Sequence, residues 1–269
     1  MNTLSVLGLA VVMSVSGLAK GGISDFYATN STGSIFLVDG DSLNASLVVD
    51  LNYGSSINDI LYLDDGGILA NVTGALVRYD LNTGQEEVVF QMSGNTGLSG
   101  FQYSMGLAAM SNGDVYFSLF NLDANGSNWY GGAYDPFQNE VELHPSSAGP
   151  AALYFDHHQI GENLFIGADH AGQNFYIHNT ETGEIEIHAA GYSPVSFFES
   201  GGSLFTMTQH GGLYMLDVST MSSTFYGRIN SGESNWIGAA TTSSPYRLPS
   251  PGSLPLFGFV AVVGTRRRR

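Results

Sequence analysis

The sequence predicts an all-β protein that is rich in turns. Only 12% of its 269 residues are charged, whereas 43% are hydrophobic, which is enough to build a buried core. Glycine is frequent, with 35 residues, and the chain holds 14 Tyr and 16 Phe. Aromatic residues favour strands and glycine favours tight turns. Hairpin patterns that recur along the chain favour the same fold class.

One type of hairpin recurs four times. Each copy has an apolar run, a turn that contains glycine, and a second apolar run in which polar and apolar residues alternate. The four turn glycines, 46, 48 and 41 residues apart, are Gly67, Gly113, Gly161 and Gly202. This spacing predicts a repeat of about 45 residues.

A second type of hairpin recurs five times, and each copy begins its turn with Asp or Asn. These turn residues are Asp39, Asp80, Asp135, Asn179 and Asp217. A short Asp or Asn side chain can accept a hydrogen bond from the backbone two residues on and so hold the turn. In two copies the turn ends in Thr-Gly, at Gly84 and Gly183, where glycine permits the backbone conformation. We interpret these Asp and Asn residues as turn formers rather than ligands.

Two hairpins per repeat make four strands, which is typical of one blade of a β-propeller. The first copy starts late, because "DFYATN" from Asp25 matches a second strand. The last copy ends early, because "NWIGAATTS" from Asn235 matches a first strand. Pairing these two strands would remove the open sheet edges. The sequence therefore predicts a five-bladed β-propeller closed by its N- and C-terminal strands, or six blades if the long third copy holds extra strands.

The N-terminus is apolar from Leu4 to Ala19 and is too short for a secure membrane span. Small residues precede Lys20, as at a signal-peptidase site. We predict a signal peptide over residues 1–19, a propeller over 20–245, and a linker with a C-terminal tail over 246–269. The alternative for the first segment is a buried N-terminal strand.

The tail runs from Pro-Ser-Pro-Gly through an apolar run, Ser253–Gly264, to four consecutive arginines. The apolar run is shorter than the roughly 20 residues of a spanning helix. Its arginines would resist crossing the membrane and stay cytoplasmic. The residues that carry this pattern are Pro249, Pro251, Gly252, Arg266, Arg267, Arg268 and Arg269.

This order resembles the PEP-CTERM sorting signals of bacteria, whose usual Pro-Glu-Pro is replaced here by Pro-Ser-Pro. The resemblance implies export, processing by an exosortase after signal peptidase, and a final place at the cell surface or in the extracellular matrix. It also implies membrane contact only through the tail before processing. An ordinary short C-terminal anchor is the alternative, and it leads to nearly the same location.

The charge of the chain excludes one large class of partners. Without the four terminal arginines, four basic residues face 24 acidic ones, and the net charge is −20. A body this acidic would be repelled by nucleic-acid phosphates. Cysteine is absent, which excludes disulfides and Cys-ligated metal sites. Scattered binding of Ca²⁺ or another divalent metal stays open as a cofactor hypothesis.

In a propeller, the loops between blades and the loops joining strands two and three of each blade gather on one face, here called the top face. The candidate ligand-binding residues on that face are Tyr103, Trp129, Asp169, His170, His210 and Trp236. The aromatic residues could stack on sugar rings, whereas Asp169, His170 and His210 are candidate ligands for a divalent metal. The alternative is that the histidines are solvated loop residues and the aromatics are half-packed.

An enzyme of this fold would need acids near the central channel. The positions that we expect there are Asp59, Ser104, Ala151, Val195 and Trp236. One acid among them predicts that a carboxylate pair is absent. We expect Asp156, His157 and His158 in a surface turn on the opposite face. The leading hypothesis is a non-catalytic binder of a glycan or a protein, and the alternative is a secreted, metal-assisted hydrolase of polysaccharide or lactone.

Overall fold

A computed structural model describes residues 22–53, 56–63, 65–110, 112–124, 126–136, 138–145, 154–169, 174–179 and 181–242. Their regular secondary structure is entirely β-strand. The strands in chain order are β1 (Phe26–Asn30), β2 (Ser34–Val38), β3 (Ala45–Asp50), β4 (Ile57–Tyr62), β5 (Gly67–Val72), β6 (Ala75–Asp80), β7 (Glu86–Gln91), β8 (Phe101–Ala109), β9 (Val115–Asp123), β10 (Gly126–Asp135), β11 (Glu140–Pro145), β12 (Tyr154–Gly161), β13 (Leu164–Asp169), β14 (Asn174–Asn179), β15 (Ile185–Ala189), β16 (Pro194–Ser200), β17 (Ser203–Thr208), β18 (Gly212–Asp217), β19 (Ser222–Arg228) and β20 (Trp236–Thr241).

These strands form five antiparallel sheets of four strands each, which are the five blades of a β-propeller. Blade 1 has the order β20-β1-β2-β3, and blades 2 to 5 are β4–β7, β8–β11, β12–β15 and β16–β19. The inner strands β4, β8, β12, β16 and β20 contact one another in a closed ring around the axis. The predicted all-β class and five blades are confirmed.

Closure of the ring depends on the pairing of the two ends of the fold. Strand β1 lies between β2 and β20, with Ala28 opposite Ala239 and Tyr27 opposite Ala240. Every inner strand therefore belongs to a complete four-stranded blade, and the predicted closure is confirmed. Boundaries at residues 19 and 246 lie outside the described residues.

The Asp and Asn residues that begin the second hairpin turns bind the turn backbone as predicted. The bonds run from Ser42 N to Asp39 Oδ1 (2.7 Å), Asn82 N to Asp80 Oδ1 (2.9 Å), Gln138 N to Asp135 Oδ1 (3.0 Å), Glu181 N to Asn179 Oδ1 (3.0 Å) and Ser219 N to Asp217 Oδ1 (2.9 Å). Hydrogen bonds within the turns, first from Ser42, Thr83 and Ser219, lower the pKa values of Asp39, Asp80 and Asp217. The turns therefore favour the negatively charged form of these three Asp side chains.

The hydrophobic core is divided into clusters that lie between neighbouring blades. Between blades 5 and 1, Phe26 stacks on Phe198 with ring centroids 4.5 Å apart. Trp236 joins the same cluster and meets Phe36 edge to face at 5.2 Å. Packing between blades, rather than within one sheet, thus holds the ring together.

Blade 3 is longer than the others. Strands β8, β9 and β10 have 9, 9 and 10 residues. The other strands have five to eight residues. The extra length of the third repeat is used to lengthen these strands, so the six-blade alternative is wrong.

Within the part of the chain that the structure describes, we find no helix of the length and hydropathy that a membrane crossing requires.

Ring closure brings β20 so close to blade 2 that Gly238 has no space for a side chain. A Cβ atom there would lie 2.7 Å from Asp59 Oδ1, 2.9 Å from Asp59 Cα and 2.9 Å from Thr29 Cγ2. We expect Gly238→Ala to lower the free energy of unfolding by about 1–3 kcal/mol, the usual result of overpacking. Urea denaturation measures this change.

Gly232→Ala is the matched control, because a Cβ atom there meets nothing within 4 Å. We expect it to change stability by less than about 0.5 kcal/mol, as for an ordinary surface substitution. Equal stability of the two variants would contradict a tight contact between β20 and β4.

Candidate functional site

The inner edge of each blade carries backbone N–H groups that no further strand can pair. At one level of the axis, these groups belong to Ile60, Leu107, His157, Phe197 and Ala239. The residues immediately before them are Asp59, Gly106, Asp156, Ser196 and Gly238. We call this level the waist.

Two carboxyl groups and one hydroxyl accept all five waist N–H groups. Asp59 accepts from Ile60 N through Oδ1 (2.8 Å) and from Leu107 N through Oδ2 (2.6 Å). The other acceptor bonds are His157 N to Asp156 Oδ1 (2.5 Å), Phe197 N to Asp156 Oδ2 (2.5 Å) and Ala239 N to Ser196 Oγ (2.8 Å). Ser196 Oγ also donates to Asp156 Oδ2 at 2.8 Å. Each inner strand is thereby capped at the waist.

The two waist glycines explain why each Asp caps two N–H groups. Going around the ring, Gly238 comes before Asp59 and Gly106 comes before Asp156. Because glycine has no side chain, the preceding blade offers no acceptor to the N–H groups of Ile60 and His157. Asp59 and Asp156 therefore accept these groups themselves. A Cβ atom on Gly106, whose φ is +64°, would lie 2.5 Å from the ring Cδ2 of His157. The close approach of neighbouring blades therefore requires glycine at these positions.

Asp59 and Asp156 also hydrogen-bond to each other, and each is 1% exposed. Burial raises the pKa of Asp59 well above its usual value, and the charge of Asp156 raises it further. Burial also raises the pKa of Asp156, whereas its hydrogen bonds, first that from Asp59, lower it. We conclude that the Asp59–Asp156 pair shares one proton in the folded protein.

The expectation for Asp156, His157 and His158 is wrong, because these residues lie in strand β12 and not in a surface turn. Asp156 and His157 are buried, and the turn follows at Gly161. The prediction that a carboxylate pair is absent is wrong as well. Asp59 is the one expected channel position that lies at the waist, and the other waist residues are Gly106, Asp156, Ser196 and Gly238 instead of Ser104, Ala151, Val195 and Trp236.

The waist carboxyls nevertheless lack the spacing of glycosidase carboxyls. Glycosidases hold their two carboxyl groups about 5–9.5 Å apart, with the sugar bond or a water between them. Here the two groups bond directly to each other and to four backbone N–H groups. Among the described residues, no group of three or more His, Asp or Glu is placed to hold a metal ion. The waist is a structural element of the ring.

His157 is directed away from the axis. Its Nε2 lies 2.8 Å from Ser118 Oγ of blade 3, and its ring meets Tyr116 edge to face at 5.4 Å. Burial, with a smaller effect of the charge of His178, lowers the pKa of His157 to about 3. The neutral imidazole therefore joins blades 3 and 4 as a core residue.

The structure places the candidate ligand residues in different environments. Trp236 is 1% exposed in the core and has no free ring face, so its assignment as a stacking residue is corrected. Asp169 is buried and accepts from Asn174 Nδ2 (2.9 Å) and Tyr176 OH (3.3 Å). His210 is exposed in the β17–β18 turn. His170 lies outside the described residues.

Tyr103 and Trp129, in contrast, lie in one row across blade 3. Phe120 of β9 is directly opposite Tyr103 of β8 and Trp129 of β10. The Phe120 and Trp129 ring centroids are 5.0 Å apart. Phe101 and Leu122 form the next pair toward the strand ends and are 55% and 48% exposed. We call these five residues the blade 3 patch.

Blade 3 extends further toward the top face than blade 2. Lower on the sheet face that carries the patch, Tyr116 packs on Phe165 of blade 4, with centroids 4.9 Å apart. Strand β8 begins five residues before the waist glycine Gly106, whereas β4 of blade 2 begins two residues before the waist residue Asp59. At about 3.3 Å per residue, blade 3 projects about 10 Å further toward the top face.

The opposite face of the same projection carries amide side chains. Gln102 of β8 and Asn128 of β10 flank Asn121 of β9. Asn121 is 1% exposed, and neither its Oδ1 nor its Nδ2 has a hydrogen-bond partner among the described residues. A buried unpaired amide costs about 1–3 kcal/mol. This part of blade 3 is therefore not optimised for stability alone.

A cavity of about 240 Å³ opens at the other end of the channel. Its lining includes Tyr62, Gln159 and Thr241, with His158 Nε2 and Glu199 Oε1 3.2 Å apart at the same wall. The aromatic residues of the blade 3 patch do not line it.

Sequence reasoning missed Phe101, Phe120 and Leu122. A signal was present, because Phe101 and Tyr103 alternate in the one repeat whose strands are long, as do Phe120 and Leu122. The waist had a signal too. In the first strand of each repeat, the waist residue is small or acidic, and the residue after it is apolar or, in β12, His157.

Comparisons with known proteins support the fold. No family model matches the chain, and no curated protein matches it. A structure described as a nidogen/laminin complex is 12% identical, with a TM-score of 0.53, over 81% of this chain and 80% of that one. A protein of unknown function from Bacteroides thetaiotaomicron is 14% identical, with a TM-score of 0.52, over 84% of this chain and 66% of that one. At these identities the similarity shows the propeller fold alone.

The shared proton at the waist predicts how stability depends on pH. The folded pair keeps a proton that an unfolded Asp releases above about pH 3.8, so the contribution of the pair to stability is greatest below that pH and falls as pH rises. The expected slope is at most about 1.4 kcal/mol per pH unit for one proton. We expect Asp59→Asn to reduce this slope, as measured by urea denaturation from pH 4 to 8.

At the acidic end, Asp59→Asn should be less stable than the wild type by about 1–3 kcal/mol, because the amide cannot cap both N–H groups. The difference should shrink as pH rises. Asp80→Asn is the control, because the lowered pKa of Asp80 keeps this side chain charged in the upper part of that pH range, so the substitution should not change the slope there. Parallel curves for the wild type and Asp59→Asn would contradict a shared proton.

Proposed function

We propose that this chain is an exported, non-catalytic β-propeller that binds a glycan or a protein partner through the blade 3 patch. The observation that carries this proposal is the exposure of Phe101 and Leu122, 55% and 48%, beside the row formed by Tyr103, Phe120 and Trp129. Contiguous exposed apolar side chains of this kind mark interaction sites on soluble proteins.

The patch has a defined geometry, which favours binding over accidental exposure. Tyr103 OH donates to Asn58 Oδ1 at 2.7 Å, and Asn58 Nδ2 donates to the Ser104 carbonyl at 2.8 Å. Phe120 and Trp129 hold each other in contact. Rings that are already fixed lose little conformational entropy when a partner binds.

A hydrolase receives less support from the described residues. The acids nearest the axis, Asp59 and Asp156, have their oxygens committed to backbone N–H groups and to each other. Neither is accessible to a substrate, since each is 1% exposed.

We further propose that the protein reaches the cell surface or the extracellular matrix as a PEP-CTERM-like exosortase substrate. The tripartite tail ending in Arg266–Arg269 and the apolar N-terminal segment support this proposal. Among the described residues, the ring closes through the pairing of β1 with β20. Signal peptidase and an exosortase would be its partners during export.

Alanine at the exposed end of the patch should weaken partner binding. We expect Phe101→Ala to reduce retention of the protein on its producing cells' surface or matrix at least tenfold, because a large ring contact is lost. Phe225→Ala is a matched control, since Phe225 is 56% exposed on the outer strand β19. A cosedimentation assay measures both variants.

Equal retention of Phe101→Ala and the wild type would contradict binding through the patch. Hydrolysis of a surface polymer by the wild type, lost in Phe101→Ala, would favour the hydrolase instead.

Processing of the tail is tested by mass spectrometry of the mature protein from its producing cells. We expect peptides from the propeller up to the linker, and none that contain Arg266–Arg269. The N-terminal peptide should begin at Lys20. Recovery of the terminal arginines on the surface form would contradict exosortase processing and leave binding by the propeller unaffected.

A further inference from the structure

We infer that the partner of the blade 3 patch is an uncharged polysaccharide, bound along an internal stretch of its chain. This inference rests on the proposed binding function and specifies the class of ligand. It depends on the size of the patch, the spacing of its rings and the distribution of charge around it.

The patch is too small for a typical protein interface. Taking about 200 Å² for a large apolar side chain, the exposed fractions of Phe101 and Leu122 and the half-buried rings beside them present on the order of 300 Å². A stable protein–protein interface covers about 800 Å² on each partner. The narrow row suits a ligand of the width of a sugar chain.

The spacing of the rings suits consecutive sugar units. Tyr103, Phe120 and Trp129 occupy directly opposed positions on three adjacent strands. Neighbouring strands lie about 4.8 Å apart, so the row spans about 10 Å. Each step is close to the distance between successive rings of an extended polysaccharide. Aromatic faces stack on the C–H faces of such rings, whose hydroxyl groups remain in water.

The row is open at its end, where Phe101 and Leu122 continue it beyond Tyr103 and Phe120. An extended chain can therefore cross the projecting edge of blade 3. Recognition of a chain end would require a closed pocket around the terminal sugar. The geometry thus favours internal stretches of the polymer.

Charge favours an uncharged polymer over an anionic one. The described residues contain two basic side chains of Lys or Arg type, Arg78 and Arg228. Arg78 is already bound to Asp65, with Nη2 2.9 Å from Oδ2, and to Asp80 at 3.5 Å. Neither arginine belongs to the patch. An anionic polymer would find no cation in the patch and would be repelled by the acidic body.

Affinity electrophoresis of the full chain tests this inference. The gels contain hydroxyethyl cellulose, galactomannan or dextran, which are uncharged, or carboxymethyl cellulose, which adds negative charge to the same glucan backbone as hydroxyethyl cellulose. We expect retardation in at least one uncharged gel and none in carboxymethyl cellulose. The apparent Kd should rise at least tenfold in Phe101→Ala and in Trp129→Ala.

Two control variants separate the row from the fold of blade 3. Phe225→Ala removes an equally exposed ring elsewhere and should keep the wild-type retardation. Asn121→Leu changes the opposite face of β9 and should also keep it, with a higher melting temperature because an unpaired amide is removed. Loss of retardation in Asn121→Leu without loss of stability would overturn the assignment to the aromatic row.

The remaining outcomes distinguish this inference from the proposed function. No retardation in any uncharged gel, with retention on cells that Phe101→Ala removes, would overturn the polysaccharide class and leave the binding function standing. Retardation by carboxymethyl cellulose as strong as by hydroxyethyl cellulose would overturn the charge argument. If Phe101→Ala affects neither gels nor cells, both the inference and the proposed function are wrong.

Discussion

The waist hydrogen bonds are the constraint on which the ring depends. Five inner strands meet at the axis with unpaired backbone N–H groups, and a buried unpaired group costs about 1–3 kcal/mol. Asp59, Asp156 and Ser196 accept all five. Because no basic side chain is among these waist partners, one proton shared by the two carboxyl groups lowers the charge that burial would oppose. Glycine at the two remaining positions lets the blades approach.

Because the acids at the axis bind backbone groups, the candidate binding site is the patch at the top of blade 3 and not the channel. Many propellers can place reactive groups near the channel, but here the channel acids serve the backbone. Blade 3 differs from the other blades in strand length. Its extra residues do not form a further blade, and some of them are not buried. They carry Phe101 and Leu122 into solvent and leave Asn121 unpaired. Both features are unfavourable for stability, which is consistent with selection for binding.

Much of the fold was predictable because its signals are local. Turn chemistry at Asp39, Asp80, Asp135, Asn179 and Asp217 depends on residues within three positions, and hairpin periodicity depends on adjacent strands. The candidate site was predictable in part. Tyr103 and Trp129 lie toward the top face, as the sequence predicts. Trp236 lies in the core instead, and Asp156 lies in a buried strand instead of the predicted turn. Register shifts occur near the waist in β4, β8, β12 and β16, so counting residues from the start of a repeat does not give the waist positions exactly.

By itself, the sequence determined the strand content, the turn positions and the pairing of the two ends, because these follow from short-range patterns and from the need to cover sheet edges. Only the tertiary structure decided which residues meet at the axis and which aromatic rings stay exposed. Asp59 and Asp156 are 97 positions apart in the chain. Their contact arises from closure of the ring, and Phe101 stays exposed at the top of the long strands of blade 3.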